Sequence, residues 1–226
     1  MPSGHRRREV SRIEGFSDAV FGFAVTLLVV SLEVPKTFHE LLLTMQGLPA
    51  FAISFGLLFQ IWWRHYRFFR RYDLEDSHVI TMTGLLLFVV LFYVYPLKFL
   101  WSYLVLGLLG RAAPDMLPPD EVWALFAIYG LGVAAAFGIL AALYRHAYAR
   151  RSELDLTPLE IVDTRVDVYR NVALAGIGLL SVVVALAAKA FFPRQVGFAG
   201  FVYFLIGVSE TTLGAYNGRL RKRLQP

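Results

Sequence analysis

The stretch RIEGFSDAV, Arg12–Val20, runs directly into FGFAVTLLVVSLEVP, residues 21–35. The second part is almost continuously apolar, whereas the first contains two acidic residues, an arginine and a serine. Ser11 and Glu14 fit a capping box, in which the serine oxygen accepts a bond from the backbone N–H three residues on and the glutamate reaches back. We therefore predict a helix that begins at Arg12 and enters an apolar medium with Asp18 in its second turn.

The composition of the 226-residue chain indicates that this medium is lipid. Hydrophobic residues make up 57% of the chain and charged residues 17%, and the mean hydropathy is +0.56. A water-soluble globule needs more polar surface than this. Six continuous apolar runs are each long enough to cross a hydrocarbon core of about 30 Å, and their lack of polar alternation favours helices over barrel strands.

The expected fold is therefore all-α, a polytopic membrane protein with six transmembrane helices per chain. Residues 1–226 are expected to form a single six-helix domain. The helices are predicted at approximately 12–34, 48–70, 79–106, 122–146, 168–192 and 196–218.

Most of the positive charge falls in alternate connections between these helices. Seventeen of the 22 lysines and arginines lie in, or within about two helical turns of, the segments before the first helix, after the second, between the fourth and fifth, and after the sixth. Because cytoplasmic loops carry the excess of basic residues, both termini are expected in the cytoplasm, with the chain multi-pass in the plasma (inner) membrane. Topology thus explains the basic charge, and no nucleic-acid partner is expected.

The sequence offers little for enzyme chemistry. It contains no cysteine, and its five histidines are scattered without a metal-binding motif. A Walker loop and a GxSxG nucleophile elbow are also absent from the sequence. We expect no catalytic residue, no bound metal and no cofactor.

The first helix has two distinct faces. Asp18 shares one of them with Gly15, Gly22, Val25 and Val29, where small residues let another helix approach. A second stripe lies about 140° away at about 100° per residue and comprises Ala19, Phe23, Thr26, Val30 and Glu33. By spacing alone, this stripe either packs on ordinary helices, with the threonine bonded to its own backbone and the glutamate among headgroups, or lines a path across the membrane.

Several motifs resemble the bacterial TMEM175 family of potassium and cation channels. Arg12, Phe16, Ser17 and Asp18 match the RxxxFSD signature of that family. The segment LLLTMQGLPAFAISF, residues 41–55, resembles the start of its second helix. The run Trp62-x-x-His65-Tyr66-Arg67-x-Phe69 is similar to its W-x-x-H-H-R-x-F motif, with Tyr66 in place of the second histidine, and Pro96 stands where its third helix ends in a proline. The likeness covers about the first 100 residues.

The resemblance implies a homotetramer around four first helices, because the chain carries a single copy of the signature. It also implies a polar network that holds the first helix against its neighbours, away from the pore. Carried over to this sequence, the network comprises Arg12, Ser17, Asp18, Trp62 and His65, with Phe16 as its apolar wedge.

The resemblance further places Phe23, Thr26 and Val30 on the pore axis, as two apolar constriction rings with a threonine between them. Phe23 departs from the family, in which this position is usually isoleucine or leucine. A narrow, weakly coordinating constriction is expected to favour potassium, and dewetting of the rings would close it. From its place in the stripe, Glu33 is expected at the outer mouth, where four carboxylates would concentrate cations.

The expected function is passive conduction by a potassium-favouring channel, with other monovalent cations or protons as further candidate permeant ions. Two alternatives stay open at this point. One is a proton-coupled carrier for an ion or small solute that uses Asp18, His65 and Glu210, although the inverted repeats typical of carriers are not visible. The other is a non-conducting scaffold whose arginine-rich loops bind membrane lipid. Glu210 by itself is either functional or paired with a basic residue at the membrane boundary.

Overall fold

The computed structural model describes residues 10–30, 35–110, 116–118, 120–191 and 193–224. Seven α-helices and one 3₁₀ helix make up most of these residues, which include no β-strand. The helices are α1 Arg12–Val30, α2 Phe38–Met45, α3 Leu48–Tyr72, α4 Ser77–Leu108, α5 Val122–Ala149, α6 Pro158–Phe191, the 3₁₀ helix Pro193–Phe204, and α7 Leu205–Leu224.

Helix α1 begins where the capping pattern predicts. The Ser11 hydroxyl accepts a hydrogen bond from the Glu14 backbone N–H at 3.2 Å, and the Ser11 carbonyl accepts one from Gly15 at 2.9 Å. Ser11 is thus confirmed as the residue that satisfies free N–H groups of the first turn. The helix is described to Val30, and the remainder of the predicted segment, residues 31–34, lies outside the described residues.

The short helix α2 was not predicted from the sequence. The Thr37 hydroxyl caps it by accepting a bond from the Glu40 N–H at 3.1 Å. Gly47 and Pro49 then interrupt the apolar run, and α3 departs from α2 at an angle of 44°. A proline is tolerated in the first turn of a helix but not in its interior, so the chain bends at this point.

Among the described residues, three helices are long and apolar enough to cross a membrane, namely α4, α5 and α6. A fourth span is present if α2 and α3 count as one bent segment. Helix α4 continues through Pro96 to Leu108, which neighbouring helices permit in an apolar environment. The chain is therefore an all-helical membrane protein with several spanning helices.

Helix α6 begins at Pro158, well before the predicted residue 168. Thr157 and Glu160 form a complete capping box there: the Thr157 hydroxyl accepts the Glu160 N–H at 3.3 Å, and the Glu160 carboxylate accepts the Thr157 N–H at 2.8 Å. The acidic residues Asp163 and Asp167 are buried against arginines of other helices. Because these carboxylates are paired, the helix continues through the acidic segment.

The predicted sixth helix, 196–218, is divided between a 3₁₀ helix and α7. The division follows from close packing on α5 and α6. Ala199 is fully buried, and its carbonyl accepts a bond from the Ser181 hydroxyl at 3.3 Å. A Cβ atom at Gly200 would lie 3.3 Å from the Phe126 ring, so the chain approaches α5 more closely than most residues allow.

Ionic groups gather at one end of the bundle. Asp76, the N-cap of α4, accepts bonds from His146 at 2.7 Å and from Arg150 at 2.5 Å, which ties α4 to the end of α5. Burial alone would raise the pKa of Asp76, but the His146 bond, the Val79 N–H and the nearby positive charges outweigh it and lower the pKa to about 2. The Asp76 carboxylate is thus ionised and already neutralised by its partners.

Helices α5 and α6 pack so closely that their backbones touch. A Cβ atom at Gly130 would lie 2.6 Å from the Gly178 carbonyl oxygen, and one at Gly178 would lie 2.7 Å from the Gly130 carbonyl oxygen. Small residues allow such contact between membrane helices, where van der Waals packing replaces the hydrophobic effect as the driving force.

We expect Gly130→Ala to destabilise the protein by about 1–3 kcal/mol, because backbone atoms cannot move aside for the added methyl group. Gly176→Ala is the matched control, since no protein atom lies within 4 Å of a Cβ there. Alanine favours a helix over glycine by about 1 kcal/mol, so the control should be neutral or stabilising. Thermal unfolding in detergent measures both, and equal melting temperatures would contradict the close approach.

Candidate functional site

Helix α1 lies at one side of the bundle and packs against α3 and α4. Its buried face contains Ser17, Phe21, Ala24 and Leu28, each at most 3% exposed. This spacing of three and four residues is that of one face of an α-helix. Most of the remaining circumference of α1 is open in the single chain.

The predicted stripe lies on that open part of α1. Ala19 and Thr26 are exposed, and Phe23 is 59% exposed. The Thr26 hydroxyl donates to the Phe23 carbonyl at 2.7 Å, so its hydrogen is used within the helix while its oxygen can still accept. The Val30 side chain and the whole of Glu33 lie outside the described residues.

Asp18 and Trp62 are brought together by the fold. The indole Nε1 of Trp62 donates to Asp18 Oδ1 at 2.8 Å and so joins α1 to α3. A hydrogen bond to an ionised acceptor is stronger than a neutral one, and it compensates a carboxylate placed inside an apolar helix. This bond fixes the rotation of α1 about its own axis.

The other residues of the expected network have separate partners. The buried Ser17 hydroxyl donates to the Ile13 carbonyl at 2.6 Å. His65 is 1% exposed, and its Nε2 lies 3.4 Å from the Thr83 hydroxyl of α4. Arg12 is exposed and Phe16 is 59% exposed, so the proposed wedge contacts little within one chain.

A cavity of about 320 Å³ opens beside the Asp18–Trp62 bond, between α1 and α3. Gly22 forms part of its wall, and a Cβ atom there would meet no protein atom within 4 Å. The lining consists of Asp18, Phe21, Gly22, Val25, Leu58, Phe59 and Trp62. The Asp18 face of α1 is therefore only partly covered by its own chain.

Sequence reasoning missed a cluster of ion pairs that joins α3, α6 and α7. Arg64 is largely buried, and its guanidinium donates to Glu210 at 2.7 Å and to Asn171 at 3.5 Å. Arg170 Nε also lies 3.6 Å from the Glu210 carboxylate. Glu210 is therefore paired with basic residues, which was one of the two readings open from the sequence.

The same cluster continues toward the ends of these helices. Asp167 lies 3.0 Å from Arg71 and 3.4 Å from Arg67, and Asp163 accepts from Arg221 at 2.6 Å. The sequence contained an indication of this cluster. The arginines of α3 recur at intervals of three and four residues, as do the polar residues of α6, so each set lies on one face of its helix. Which of them pair depends on the arrangement of the helices.

The described residues contain no group of three or more histidine or acidic side chains arranged to hold a metal ion. Of the polar side chains of α1, Asp18 joins the helix to α3, whereas Ser17 and Thr26 bond to the backbone of α1 itself. The site is therefore a surface of one membrane helix held in a defined orientation.

Comparison with known proteins identifies the family. Residues 12–93 match the family described as endosomal/lysosomal potassium channel TMEM175. A potassium channel of Marivirga tractuosa is 37% identical over 227 residues, which covers 97% of this chain and 92% of that protein. The chain belongs to the TMEM175 family. A potassium channel of Chamaesiphon minutus is 34% identical over 116 residues, covering 46% of this chain and 56% of the relative.

Solved structures of TMEM175 proteins share the fold. The crystal structure of a variant of the potassium channel MtTMEM175 superposes with a TM-score of 0.81 at 36% identity, covering 96% of this chain and 97% of that one. A lysosomal potassium-selective TMEM175 homolog from Chamaesiphon minutus has a TM-score of 0.58 at 24% identity, covering 91% and 96% of the two chains, and shows likeness of fold alone. TMEM175 proteins are cofactor-free ion channels and not enzymes, which confirms those two expectations.

We expect Trp62→Phe to destabilise this TMEM175 protein by about 1–3 kcal/mol, because it leaves the Asp18 carboxylate without its indole donor. Trp63→Phe is the matched control, since Trp63 is the adjacent residue and is 45% exposed, while the donor to Asp18 is Trp62. Asp18→Asn keeps an acceptor oxygen and should lose less. Melting temperatures in detergent test this order, and an equal loss in both tryptophan variants would argue against the bond.

Proposed function

We propose that this chain is a potassium-favouring cation channel that conducts passively through a central pore. The observation that carries the proposal is the relationship, over nearly the full length of both chains, to a protein named as a potassium channel. The alignment spans 97% of this chain, so it includes α1 with the signature residues and the helices that pack against α1. Potassium, other monovalent cations and protons are the candidate permeant ions.

In this proposal four identical chains assemble with their α1 helices around a shared axis. The exposure of Phe23 and Thr26 supports this arrangement, because an apolar helix with one packed face leaves the other to lipid, to a partner or to an ion path. At about 1.5 Å per residue, the 19 residues of α1 extend about 28 Å, close to the thickness of the hydrocarbon core. Four copies would therefore line most of a pore.

Each chain would contribute six membrane-spanning segments. They are α1, the bent pair α2–α3, α4, α5, α6, and the 3₁₀ helix together with α7. The gathering of arginines and carboxylates at one end of α3, α6 and α7 supports a common cytoplasmic side. Both termini would then face the cytoplasm, with the protein in the plasma (inner) membrane.

Phe23 and Val30 would form apolar rings, with the Thr26 oxygens between them as the side-chain ligands at mid-depth. An ion crossing such rings loses part of its hydration shell and gains few ligands. Potassium gives up water at lower cost than sodium, so the constriction favours potassium, and dewetting closes it. Glu33 carboxylates at the outer mouth would attract cations.

The described contacts do not favour the carrier alternative. Asp18 bonds to Trp62, His65 faces Thr83, and Glu210 pairs with arginines. Each group thus has its own partner, and none of these contacts joins two of the three groups into a common proton-binding site. A carrier would need such groups to share a substrate.

Purified protein in liposomes tests the function directly. With a potassium gradient and no pH gradient, a channel releases potassium as soon as a protonophore balances the charge, and it releases sodium more slowly. A carrier that exchanges potassium for protons would release potassium even without the protonophore, because the exchange is electroneutral, and a scaffold would pass neither ion. Absence of potassium flux from correctly folded protein would overturn the proposal.

We expect Phe23→Ala to change the ion permeation itself. The substitution removes one phenyl group per chain, four in the tetramer, and so widens the constriction. Leak current should increase, and the preference for potassium over sodium should fall several-fold. Val20→Ala is the matched control, because Val20 is on the partly buried side of the same helix. Single-channel currents in planar bilayers measure both, and unchanged currents in Phe23→Ala would place this residue off the pore.

A further inference from the structure

A long groove runs between α5 and α6 on the side of the bundle away from α1. It has a volume of about 660 Å³, and every residue that lines it is described. The lining is mainly apolar along the groove: Gly138, Ala141, Ala142, Ala149, Val168, Val172, Ala175, Gly176 and Leu179. Polar side chains stand at one end only: His78, Arg145 and His146.

The groove opens sideways, toward the surroundings of the bundle. Val172 is 54% exposed and Leu179 is 52% exposed. A Cβ atom built at Gly138 or Gly176 would meet no protein atom within 4 Å, so the two glycines leave room on both walls. At Gly130 and Gly178, by contrast, the backbones of the same two helices are in contact.

The dimensions match one leaflet of a bilayer. From Gly138 to Ala149 the wall on α5 rises about 16 Å at 1.5 Å per residue. Half of a hydrocarbon core of about 30 Å is about 15 Å. An extended acyl chain of one leaflet therefore fits along the groove with its polar end near Ala149, about one helical turn from Arg145, whose long side chain can extend toward it.

The polar end of the groove, formed by His78, Arg145 and His146 and called its mouth below, carries a positive charge with no acidic partner. No carboxylate of the described residues lies within ion-pair distance of Arg145, which is exposed. The nearest acid of the mouth, Asp76, is already bonded to both His146 and Arg150, and Glu153 pairs with Arg150 at 2.7 Å. The His78 ring lies against the His146 ring in a tilted arrangement, with centroids 4.5 Å apart, and offers a further donor.

We propose that this groove binds one anionic phospholipid, with an acyl chain between α5 and α6 and the phosphate at Arg145 and His78. The apolar lining accounts for the chain, and the charge complementarity of the mouth accounts for the anionic headgroup. A small anion alone gains nothing from the apolar length of the groove. A zwitterionic lipid brings the same phosphate together with a cationic choline, so its net attraction to the positive end of the groove is weaker. The site is separate from the proposed ion path.

Native mass spectrometry of the delipidated full-length protein tests the site. The protein in detergent is titrated with dioleoylphosphatidylglycerol and, in parallel, with dioleoylphosphatidylcholine, and bound lipids are counted. We expect the anionic lipid to bind at least fivefold more tightly. Equal binding of the two lipids would overturn the proposal.

Two kinds of variant separate the parts of the site. Arg145→Gln should weaken phosphatidylglycerol about fivefold and phosphatidylcholine little, whereas Arg70→Gln, an exposed arginine elsewhere, should change neither. Gly176→Leu and Gly138→Leu should each reduce binding of both lipids by filling the groove. Gly84→Leu is their control, since that glycine is also open but lies on α4.

Gel filtration and melting temperature first establish that the variants fold normally. Two further results would then contradict the proposal. One is displacement of phosphatidylglycerol by glycerol 3-phosphate at similar concentration, which would show that the mouth binds an anion without a chain. The other is loss of oligomer, with unchanged lipid content, in Gly176→Leu, which would show that a second copy of the chain fills the groove.

Discussion

Ionisable side chains inside apolar helices have to be paired, and this constraint organises the bundle. A carboxylate or guanidinium in hydrocarbon is costly unless a partner of suitable geometry compensates it. Asp18 meets the indole of Trp62, Glu210 meets Arg64, and Asp167 meets Arg71. Each pair joins two helices that are distant in sequence, so the need for pairing sets which helices become neighbours.

The same constraint gives α1 its orientation. With Asp18 held by α3 and the Phe21–Leu28 face packed on α3 and α4, one rotation of the helix is favoured. That rotation leaves Phe23 and Thr26 on the open side. In the proposed channel, residues away from the pore therefore determine which residues can line it.

Close packing and open space occur side by side along α5 and α6. At Gly130 the two backbones touch, whereas at Gly138 and Gly176 they leave a groove. A glycine in a membrane helix thus has two opposite uses, which the sequence by itself does not distinguish. In the first case a methyl group destabilises the contact, and in the second the space is available to a lipid chain.

The all-helical class could be predicted because continuous apolar runs and helix caps are local properties of the sequence. The beginning of α1 at Ser11 followed from a hydrogen bond between residues three apart. The start of α6 did not follow from local pattern, because acidic residues such as Asp163 read as solvated until their arginine partners on other helices are known. The 3₁₀ helix likewise depends on Ser181 and Phe126, which are distant in the sequence.

For the candidate site, periodicity placed Asp18 and Phe23 on different faces of one helix, and resemblance suggested Trp62 as a partner of the aspartate. Only the tertiary structure decided that Trp62 bonds Asp18, that Ser17 bonds its own backbone and that Arg64 and Glu210 pair. The sequence alone determined the membrane class, the helical content and the family, because hydropathy, capping and motif spacing are read along the chain. The partners of its charges depend on distances across the chain, which exist only after the helices have packed.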